Sequence, residues 1–495
     1  MEGPDSDGKH EGQTTEREIF GWYMYDWANS PYFQVYLGPI LLILLKWLAE
    51  GYAAQGLTEG QKEDSHHLTI PGIGITAGSY PAIVQLITTC VQVVCLLTFS
   101  AFGDFGGRRK QLLVALTMAG SALVCLNIFC YSSSMWWVAG LLRVSSGSCF
   151  SLATVYYNSY LPVLVASHKD LQGLEGEALE TETTMVTDKL SGHGMMIGYA
   201  GGLTMLIISG VILQVFECKD GQDCSEFNTF FWPCLCVFLV GVWWAAFSQI
   251  TFRRLKTRVG PPFPKGNVMC LGWRQSAQTL CYMCSRRQTL LFMCSFFLYS
   301  DGINTICTAA PLIMEDELKL GMKASVINAG LGAVAALLGV FMFMRLQACL
   351  GWSGKAMIIS QLFLYSFMSG LGGGGLITAW PTWGFYVIMA PSLIMMGAIQ
   401  SYTRSLFASL IPKGMESAMF AFFAITDKGS NVIGPCVIAL VHNWTGKYTG
   451  VFLYLMPAFL LAAIILGFLD AEPNSDEGLL CEGEDTVSET DKEDD

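Results

Sequence analysis

The sequence predicts an all-α multi-pass membrane protein with twelve transmembrane helices in two pseudo-symmetric six-helix bundles. Hydrophobic residues make up 52% of the chain, charged residues 14%, and the mean hydropathy is +0.45, whereas about a quarter of an ordinary soluble domain is charged. Apolar segments long enough to cross a bilayer recur along the chain. The pattern Asp-x-x-Asn-Ser/Thr occurs twice, at 26–30 and at 301–305. Polar residues are energetically costly inside a membrane, so a polar pattern repeated in both halves indicates internal duplication, with a functional site at the interface of the repeats.

Twelve apolar segments divide six plus six around a basic central connection. They are Phe20–Leu48, Ile75–Phe99, Leu112–Cys130, Trp136–Val165, Gly194–Phe216, Phe230–Phe247, Leu290–Ile313, Val326–Leu350, Ala356–Leu376, Trp383–Leu410, Ser417–Val441 and Gly450–Leu469. We therefore expect a disordered cytosolic N-terminus over 1–18, a first bundle over 19–250, a cytosolic central loop over 251–289, a second bundle over 290–470 and a disordered acidic cytosolic tail over 471–495.

Lys and Arg are unevenly distributed between the two sets of loops, which predicts the orientation in the bilayer. Residues 253–287 of the central connection hold eight basic residues, and the second-to-third segment loop holds Arg108, Arg109 and Lys110. The opposite loops hold few, and basic loops stay cytosolic, so both termini and the central loop are expected in the cytosol. The sequon Asn443-Trp-Thr445 then lies on the far side, where N-glycosylation can reach it.

The formal net charge of -12 comes mostly from the C-terminal tail. Residues 470–495 contain twelve acidic residues and one lysine, which gives -11. Such tails are usually solvated and disordered, so the charge does not indicate nucleic-acid binding. Within the tail, Asp476-Glu-Gly-Leu479-Leu480 resembles an Asp-x-x-Leu-Leu sorting signal. Sorting adaptors are therefore candidate partners, beside the lipid bilayer and a small-molecule substrate.

Polar and charged residues inside the apolar segments are the candidate substrate and coupling-ion residues, because they are expensive in a membrane and usually functional. Asp26 and Asn29 are three residues apart and share a helix face, and the same spacing holds for Asp301 and Asn304. Two arginines and two residues from the end of the fourth segment complete the set, namely Arg143, Arg404, Tyr157 and Asn158.

Each of these residues also has a structural interpretation. An intramembrane Asp can cap a broken helix or pair with a helix-end Arg, and Arg404 can snorkel to the cytosolic edge. A substrate with a carboxylate would instead use an Arg fork, and its ammonium group would need an anion such as Asp26 or Asp301. Burial disfavours the charged form of a carboxyl group, so a proton is a candidate coupling ion.

The cysteines and histidines do not indicate a disulfide scaffold, a metal site or an enzyme. Most of the 17 cysteines lie in apolar runs, where Cys behaves as a small hydrophobe. Cys218 and Cys224 bracket a polar loop and can pair if that loop faces an oxidising lumen. The histidines lie in tails, loops or at a loop boundary, without a cluster of catalytic spacing. We therefore expect no cofactor, no metal and no catalytic residue.

The loop between the second and third segments carries the motif Asp104-Phe-Gly-Gly107-Arg108-Arg109-Lys110. It resembles the Asp-x-x-Gly-Arg-Arg-Lys loop of the major facilitator superfamily, in which glycine turns the chain and the charged residues latch helix ends. The resemblance implies a gating role for Asp104, Gly107, Arg108 and Arg109. The equivalent stretch of the second half, around 345–355, is degenerate and leaves a second latch undefined.

Six ordered blocks cover nearly all of the membrane core: Tyr25-Asp-Trp-Ala-Asn-Ser30, Tyr157-Asn-Ser-Tyr-Leu-Pro162, Gly198-Tyr-Ala-Gly-Gly202, Tyr299-Ser-Asp-Gly-Ile-Asn-Thr305, Gln400-Ser-Tyr-Thr-Arg-Ser405 and Ala424-Ile-Thr-Asp-Lys-Gly429. They are similar to the signatures of the autophagy-related vacuole effluxers. That resemblance implies the major facilitator fold and a vacuolar or lysosomal protein that exports amino acids released by breakdown.

The sequence thus predicts a secondary-active transporter that exports amino acids or similar small solutes from a vacuole or lysosome by alternating access. Two other classes stay open: a substrate-sensing transceptor that retains the transporter fold, and an intramembrane enzyme. The plasma membrane is the alternative location.

Overall fold

The structure, a computed structural model, describes residues 13–55, 69–70, 74–216, 226–258, 260–262, 268–319 and 321–469. These residues fold into helices joined by short connections, and their only β-bridge pairs Thr69 with Thr76. A helix satisfies its backbone hydrogen bonds internally, as a segment that crosses hydrocarbon must. The expectation of an all-α multi-pass protein is confirmed. The tail, the first twelve residues, Cys218 and Cys224 lie outside the described residues.

Six long helices form the first half: α1 (Glu16–Ala53), α2 (Ala77–Asp104), α3 (Arg109–Phe129), α4 (Ser133–Ala166), α5 (Gly176–Phe216) and α6 (Glu226–Arg254). Helix α1 is irregular in its middle, where the residues Tyr32–Ile40 form a π-helical stretch. The irregularity follows from composition. Pro31 cannot donate to the helical ladder, and Gly38 leaves helical geometry with a ψ of -134°.

The second half follows a linking helix, α7 (Val268–Ser285), and comprises α8 (Arg287–Leu312), α9 (Gly321–Leu350), α10 (Gly354–Gly373), α11 (Pro381–Ser409), α12 (Glu416–Ser430), α13 (Ile433–Thr445) and α14 (Val451–Gly467). Among the described residues, ten helices, α1–α6 and α8–α11, are long and apolar enough to cross a membrane. The predicted count of twelve therefore depends on α14 and on the interrupted pair α12–α13.

The pair α12–α13 occupies the place of one predicted segment, and its interruption has a local cause. Pro435 in the first turn of α13 lacks the N–H that would bond to the carbonyl of Asn431. The chain accordingly leaves helical hydrogen bonding at Asn431 and Val432 before α13 begins. Helix α7 is a second departure, since the sequence analysis assigned its residues to a loop. It packs on α2, where Ser276 donates to the Leu97 carbonyl at 2.7 Å.

Equivalent lysines close each half in the same way. Lys110, at the start of α3, donates to the carbonyl of Leu255 just after α6, at 2.6 Å. Lys355, at the start of α10, donates to the carbonyls of Gly467 and Leu469 at the end of α14. A cation at the C-terminal end of a helix is favoured by the helix dipole. Each half is thus tied from its third to its last helix by one lysine, as an internal duplication predicts.

One side of the bundle carries both described chain ends, and we call it the terminal side. Thr14 donates there to the Leu164 carbonyl at 2.9 Å, and the Gly106 N–H to the Pro261 carbonyl at 2.8 Å. On the opposite side, called the far side, Gln55 donates to Ser133 and Glu317 accepts from the N–H groups of Tyr448 and Thr449. Glu317 thereby caps the connection into α14.

Candidate functional site

The two halves meet in a buried ion pair between Asp26 of α1 and Arg404 of α11. Both residues are 6% exposed, and Arg404 Nη1 donates to Asp26 Oδ2 at 3.2 Å. The same carboxylate oxygen accepts from the Tyr157 hydroxyl of α4 at 2.7 Å. A buried charge is tolerated only when it is paired and hydrogen-bonded. The carboxylate of Asp26 therefore depends on a residue from the other half.

Arg404 is bound along its whole guanidinium group. Its Nε donates to Ser191 Oγ at 3.0 Å and its Nη2 to the Ser191 carbonyl at 2.8 Å. The guanidinium carbon lies 5.0 Å from the centre of the Trp22 ring, within cation–π distance. The snorkelling interpretation of Arg404 is therefore wrong, because the side chain points into protein and its donors are directed at named acceptors.

Aromatic rings surround this ion pair. Tyr157 stacks on Trp22 with ring centres 4.9 Å apart and on Tyr25 at 4.7 Å, and Trp22 Nε1 donates to the Tyr157 carbonyl at 3.2 Å. These rings are buried, so they hold the Tyr157 hydroxyl in place rather than form a membrane-interface belt. Asn29 is also buried, and Asn158 is half-buried next to Tyr157.

Asp301 has different partners from Asp26, although the two match in sequence pattern. Its Oδ1 accepts from the Gly434 N–H at 2.9 Å and its Oδ2 from the Tyr454 hydroxyl at 2.9 Å. Gly434 lies in the first turn of α13, so this carboxylate caps the start of that helix, where N–H groups lack helical partners. Asn304 donates to the Asn431 side chain. The second Asp-x-x-Asn pattern thus fixes the interruption of α12–α13.

The predicted latch on the terminal side forms in part. Asp104 Oδ1 and Oδ2 accept from the N–H groups of Ser417 and Ala418 at 2.8 and 3.1 Å, and so cap α12 of the other half. Arg109 donates to Asp104 at 3.1 Å and to Glu416 at 2.9 Å. We call Asp104, Arg109 and Glu416 the latch. Of the other two predicted members, Gly107 has a φ of +70°, which favours glycine, and Arg108 is exposed.

A second connection between the halves was missed by the sequence analysis. Asp188 of α5 accepts from Gln347 Nε2 of α9 at 2.7 Å and from the Ser405 hydroxyl of α11. A Cβ on Gly354 would lie 2.7 Å from its carboxylate, so Asp188 packs against the first turn of α10. Asp188 lies between the predicted fourth and fifth segments, so the hydropathy pattern places it in a loop. Its helical spacing to Ser191, which also faces the other half, was the available signal.

Arg143 of α4 is buried at 4% exposure but only partly bonded. Its Nη2 donates to Gln85 Oε1 of α2 at 2.7 Å, while Nη1 is buried and finds no acceptor among the described residues. Across the interface, Asp427 of α12 accepts from the Ser300 hydroxyl at 2.5 Å. Lys428 follows Asp427 and is half-buried. This polar group lies apart from the Asp26–Arg404 pair, which uses other residues of α4 and of the second half.

The remaining predicted site residue, Asn443, is exposed near the end of α13, two residues before Thr445. It lies on the far side, as the topology argument requires. No group of three or more His, Cys, Asp or Glu that could hold a metal ion occurs within the described ranges.

Solved structures resemble this fold at low sequence identity. The E. coli fucose:proton symporter FucP matches with a TM-score of 0.61 at 13% identity, over 92% of this chain and 98% of the symporter. A bacterial homologue of the iron transporter ferroportin, in an outward-facing state, matches with a TM-score of 0.59 at 13% identity, over 92% and 99%. These similarities show that the paired halves adopt the major facilitator fold.

Sequence relatives give the family. Autophagy-related protein 22-1 of Phaeosphaeria nodorum is 29% identical over 95% of this chain and 93% of the relative. Autophagy-related protein 22-1 of Aspergillus niger is 25% identical over 95% and 91%. The family model described as vacuole effluxer Atg22 like matches residues 14–478. The chain belongs to this Atg22-like vacuole effluxer family, which confirms the resemblance of the six sequence blocks.

Proposed function

We propose that this transporter exports amino acids or similar small solutes from a vacuole or lysosome into the cytosol by alternating access. Membership of the vacuole effluxer family supports both the compartment and the direction. The observation that carries the mechanism is the group of bonds that join the two halves on the terminal side. Rocking of the halves must break these bonds before a solute can leave on that side.

The Asp26–Arg404 pair and the latch are, in this proposal, the terminal-side gate. Four hydrogen bonds of the gate cross from one half to the other: Arg404 to Asp26, Arg109 to Glu416, and the N–H groups of Ser417 and Ala418 to Asp104. By contrast, α13 packs mainly on α8 and α14 of its own half. These contacts support a conformation that is closed on the terminal side and accessible from the far side.

The terminal side is, in the same proposal, cytosolic. Arg108, Arg254, Arg286 and Lys413 lie at helix ends or loops on this side, and basic residues are retained in the cytosol. A conformation accessible from the far side would then load solute from the lumen. That direction of loading is what an exporter into the cytosol requires.

Counterflow in proteoliposomes tests the proposal directly. Purified protein is reconstituted with each of the twenty amino acids inside, and uptake of the same radiolabelled amino acid is followed with and without an inward proton gradient. Exchange of at least one amino acid supports a carrier, and acceleration by the gradient supports proton coupling. Saturable binding without any exchange would contradict the proposal and favour a transceptor.

A further inference from the structure

Arg143 combines three properties that purely structural arginines rarely share. It lies ten residues after the start of α4, is 4% exposed, and leaves Nη1 without an acceptor among the described residues. Leaving a buried charged donor unbonded is energetically costly, and buried donors in folded proteins are nearly always satisfied. Gly147 lets this nitrogen pack closely against α4, since a Cβ there would lie 2.4 Å from Nη1. An acceptor for Nη1 would therefore have to come from outside the described part of the chain.

A second cation approaches from the other half. Helix α12 packs against α2 and α4, the helices that carry Gln85 and Arg143. Near the end of α12, the half-buried Lys428 lies within electrostatic range of its neighbour Asp427 and of Arg143. Two like charges that face one another across an interface destabilise it unless an anion lies between them.

The surrounding groups do not neutralise these cations. Asp427 is the neighbouring acid, and one of its oxygens already accepts from Ser300. Tyr32 and Tyr36 also lie within electrostatic range of Arg143, but their hydroxyls bond to Ser146 at 3.2 and 3.3 Å. Two cations against one acid leave an excess of one positive charge. A singly charged anion balances it, whereas a doubly charged phosphate would reverse the sign.

We propose that Arg143 and Lys428 together bind the carboxylate of the transported solute, one from each half of the protein. One carboxylate oxygen accepts from Arg143 Nη1 and the other from the Lys428 ammonium group. Charge-assisted bonds of this type are the strong ones, and they would draw the halves together only when solute is present. This inference rests on the proposed transport function and specifies which part of the solute is recognised.

The test measures recognition of the carboxylate separately from recognition of the amine. Protein in nanodiscs is titrated calorimetrically with isovalerate, which has a carboxylate and no amine, and with isopentylamine, which has the reverse. We expect saturable binding of isovalerate and none of isopentylamine. Arg143→Gln and Lys428→Gln should each weaken isovalerate binding at least tenfold. Lys169→Gln, which removes an exposed cation paired with Glu16 on the terminal side, is the control and should bind normally.

Several outcomes would overturn the proposal. They are equal isovalerate affinity in wild type and both variants, stronger binding of isopentylamine, or no isovalerate binding in a protein that exchanges leucine. If Arg143→Gln does not yield folded protein, Arg143→Lys serves instead and should also weaken isovalerate binding. Lys keeps the charge but lacks the planar fork whose two nitrogens would serve Gln85 and the carboxylate together. Isovalerate binding that depends on Arg143, without exchange of any amino acid, would refute the transport proposal alone.

Discussion

At the scale of single residues, the Asp26–Arg404 pair is the most consequential contact in the molecule. Each partner is desolvated, so either charge left alone in the interior carries a large penalty. The partners belong to different halves, and under the proposed alternating-access mechanism these halves separate and break the pair. Tyr157 and Ser191, both of the first half, supply further hydrogen bonds to the two charges. Closure of the terminal side should therefore be impaired when one of the two charges is removed. It should be impaired less when both are removed.

A double-mutant cycle tests this pair. Asp26→Asn should lower the free energy of unfolding by about 3–5 kcal/mol, because Arg404 is left buried without its anion. Arg404→Gln should have a similar effect, and the double variant should be more stable than either single one. Thermal unfolding in detergent and leucine counterflow are measured for all four proteins. Additive losses would show that the two side chains act independently.

Substitutions of Asp301 should affect stability differently from those of Asp26, since the partners of Asp301 are a backbone N–H and a tyrosine hydroxyl. Asn at this position keeps one oxygen for the Gly434 N–H, so Asp301→Asn should cost less than Asp26→Asn. Asp301→Ala removes the cap and should cost about 1–2 kcal/mol more than the Asn variant, in the range seen for lost helix caps. Thermal unfolding gives the comparison. Equal damage by Asp301→Asn and Asp26→Asn would contradict a capping role.

At the scale of secondary structure, the glycines of α5 determine how closely the helices approach. A Cβ on Gly198, Gly201 or Gly202 would come within 2.6 Å of atoms of α1, and one on Gly194 would lie 2.6 Å from Asp26 Oδ2. Small residues four apart let membrane helices pack backbone to backbone. The close packing of α5 on α1 therefore positions Asp26 of α1 next to Arg404 of α11.

Two alanine substitutions in α5 distinguish the effect of helix packing on transport from the effect of intrinsic helix propensity. Gly194→Ala should reduce counterflow at least tenfold, because the added methyl group collides with the Asp26 carboxylate. Gly210→Ala is the matched control, since no atom lies within 4 Å of a Cβ there. It should leave counterflow unchanged and raise stability slightly, by up to about 1 kcal/mol. Similar counterflow by both variants would rule out a role for this contact.

The sequence predicted the elements better than their partners. Ten of the spans predicted from hydropathy coincide with helices long and apolar enough to cross a membrane. The duplicated Asp-x-x-Asn pattern could likewise be read directly, because apolar runs and short motifs are both local properties of the sequence. It did not predict that Asp26 bonds to a residue 378 positions away while Asp301 caps a helix. Such pairings depend on how the halves pack. Asp188 was missed for the same reason, since α5 extends beyond its apolar core and places the acid against α9 and α11.

At the scale of the whole molecule, the orientation has a simple chemical test. Asn443 is exposed on the far side, so a eukaryotic host that places this side in the lumen can attach one glycan there. Asn443→Gln should then remove a glycan that is sensitive to endoglycosidase. The companion measurement is protease protection of an epitope inserted after Pro261 on the terminal side. Accessibility of that epitope from the lumen would contradict the proposed orientation.

Alternating access predicts that a covalent link across the terminal side stops transport reversibly. Ser159 of α4 and Ser417 of α12 place their hydroxyl oxygens 3.2 Å apart and belong to opposite halves. Cysteines at both positions need only a small adjustment to reach the S–S distance of about 2.05 Å. Oxidation of Ser159→Cys/Ser417→Cys should therefore abolish counterflow, and reduction should restore it. The control is Gly51→Cys/Ser133→Cys within the first half on the far side, where a Cβ on Gly51 would lie 3.1 Å from the Ser133 Cβ. Its oxidation should change little, because the two residues move together. Each single-cysteine variant controls for oxidation of the native cysteines. A cross-linked Ser159→Cys/Ser417→Cys protein that exchanges at the wild-type rate would show that the halves need not separate here, and the assignment of the latch and the Asp26–Arg404 pair as the gate would fail with it.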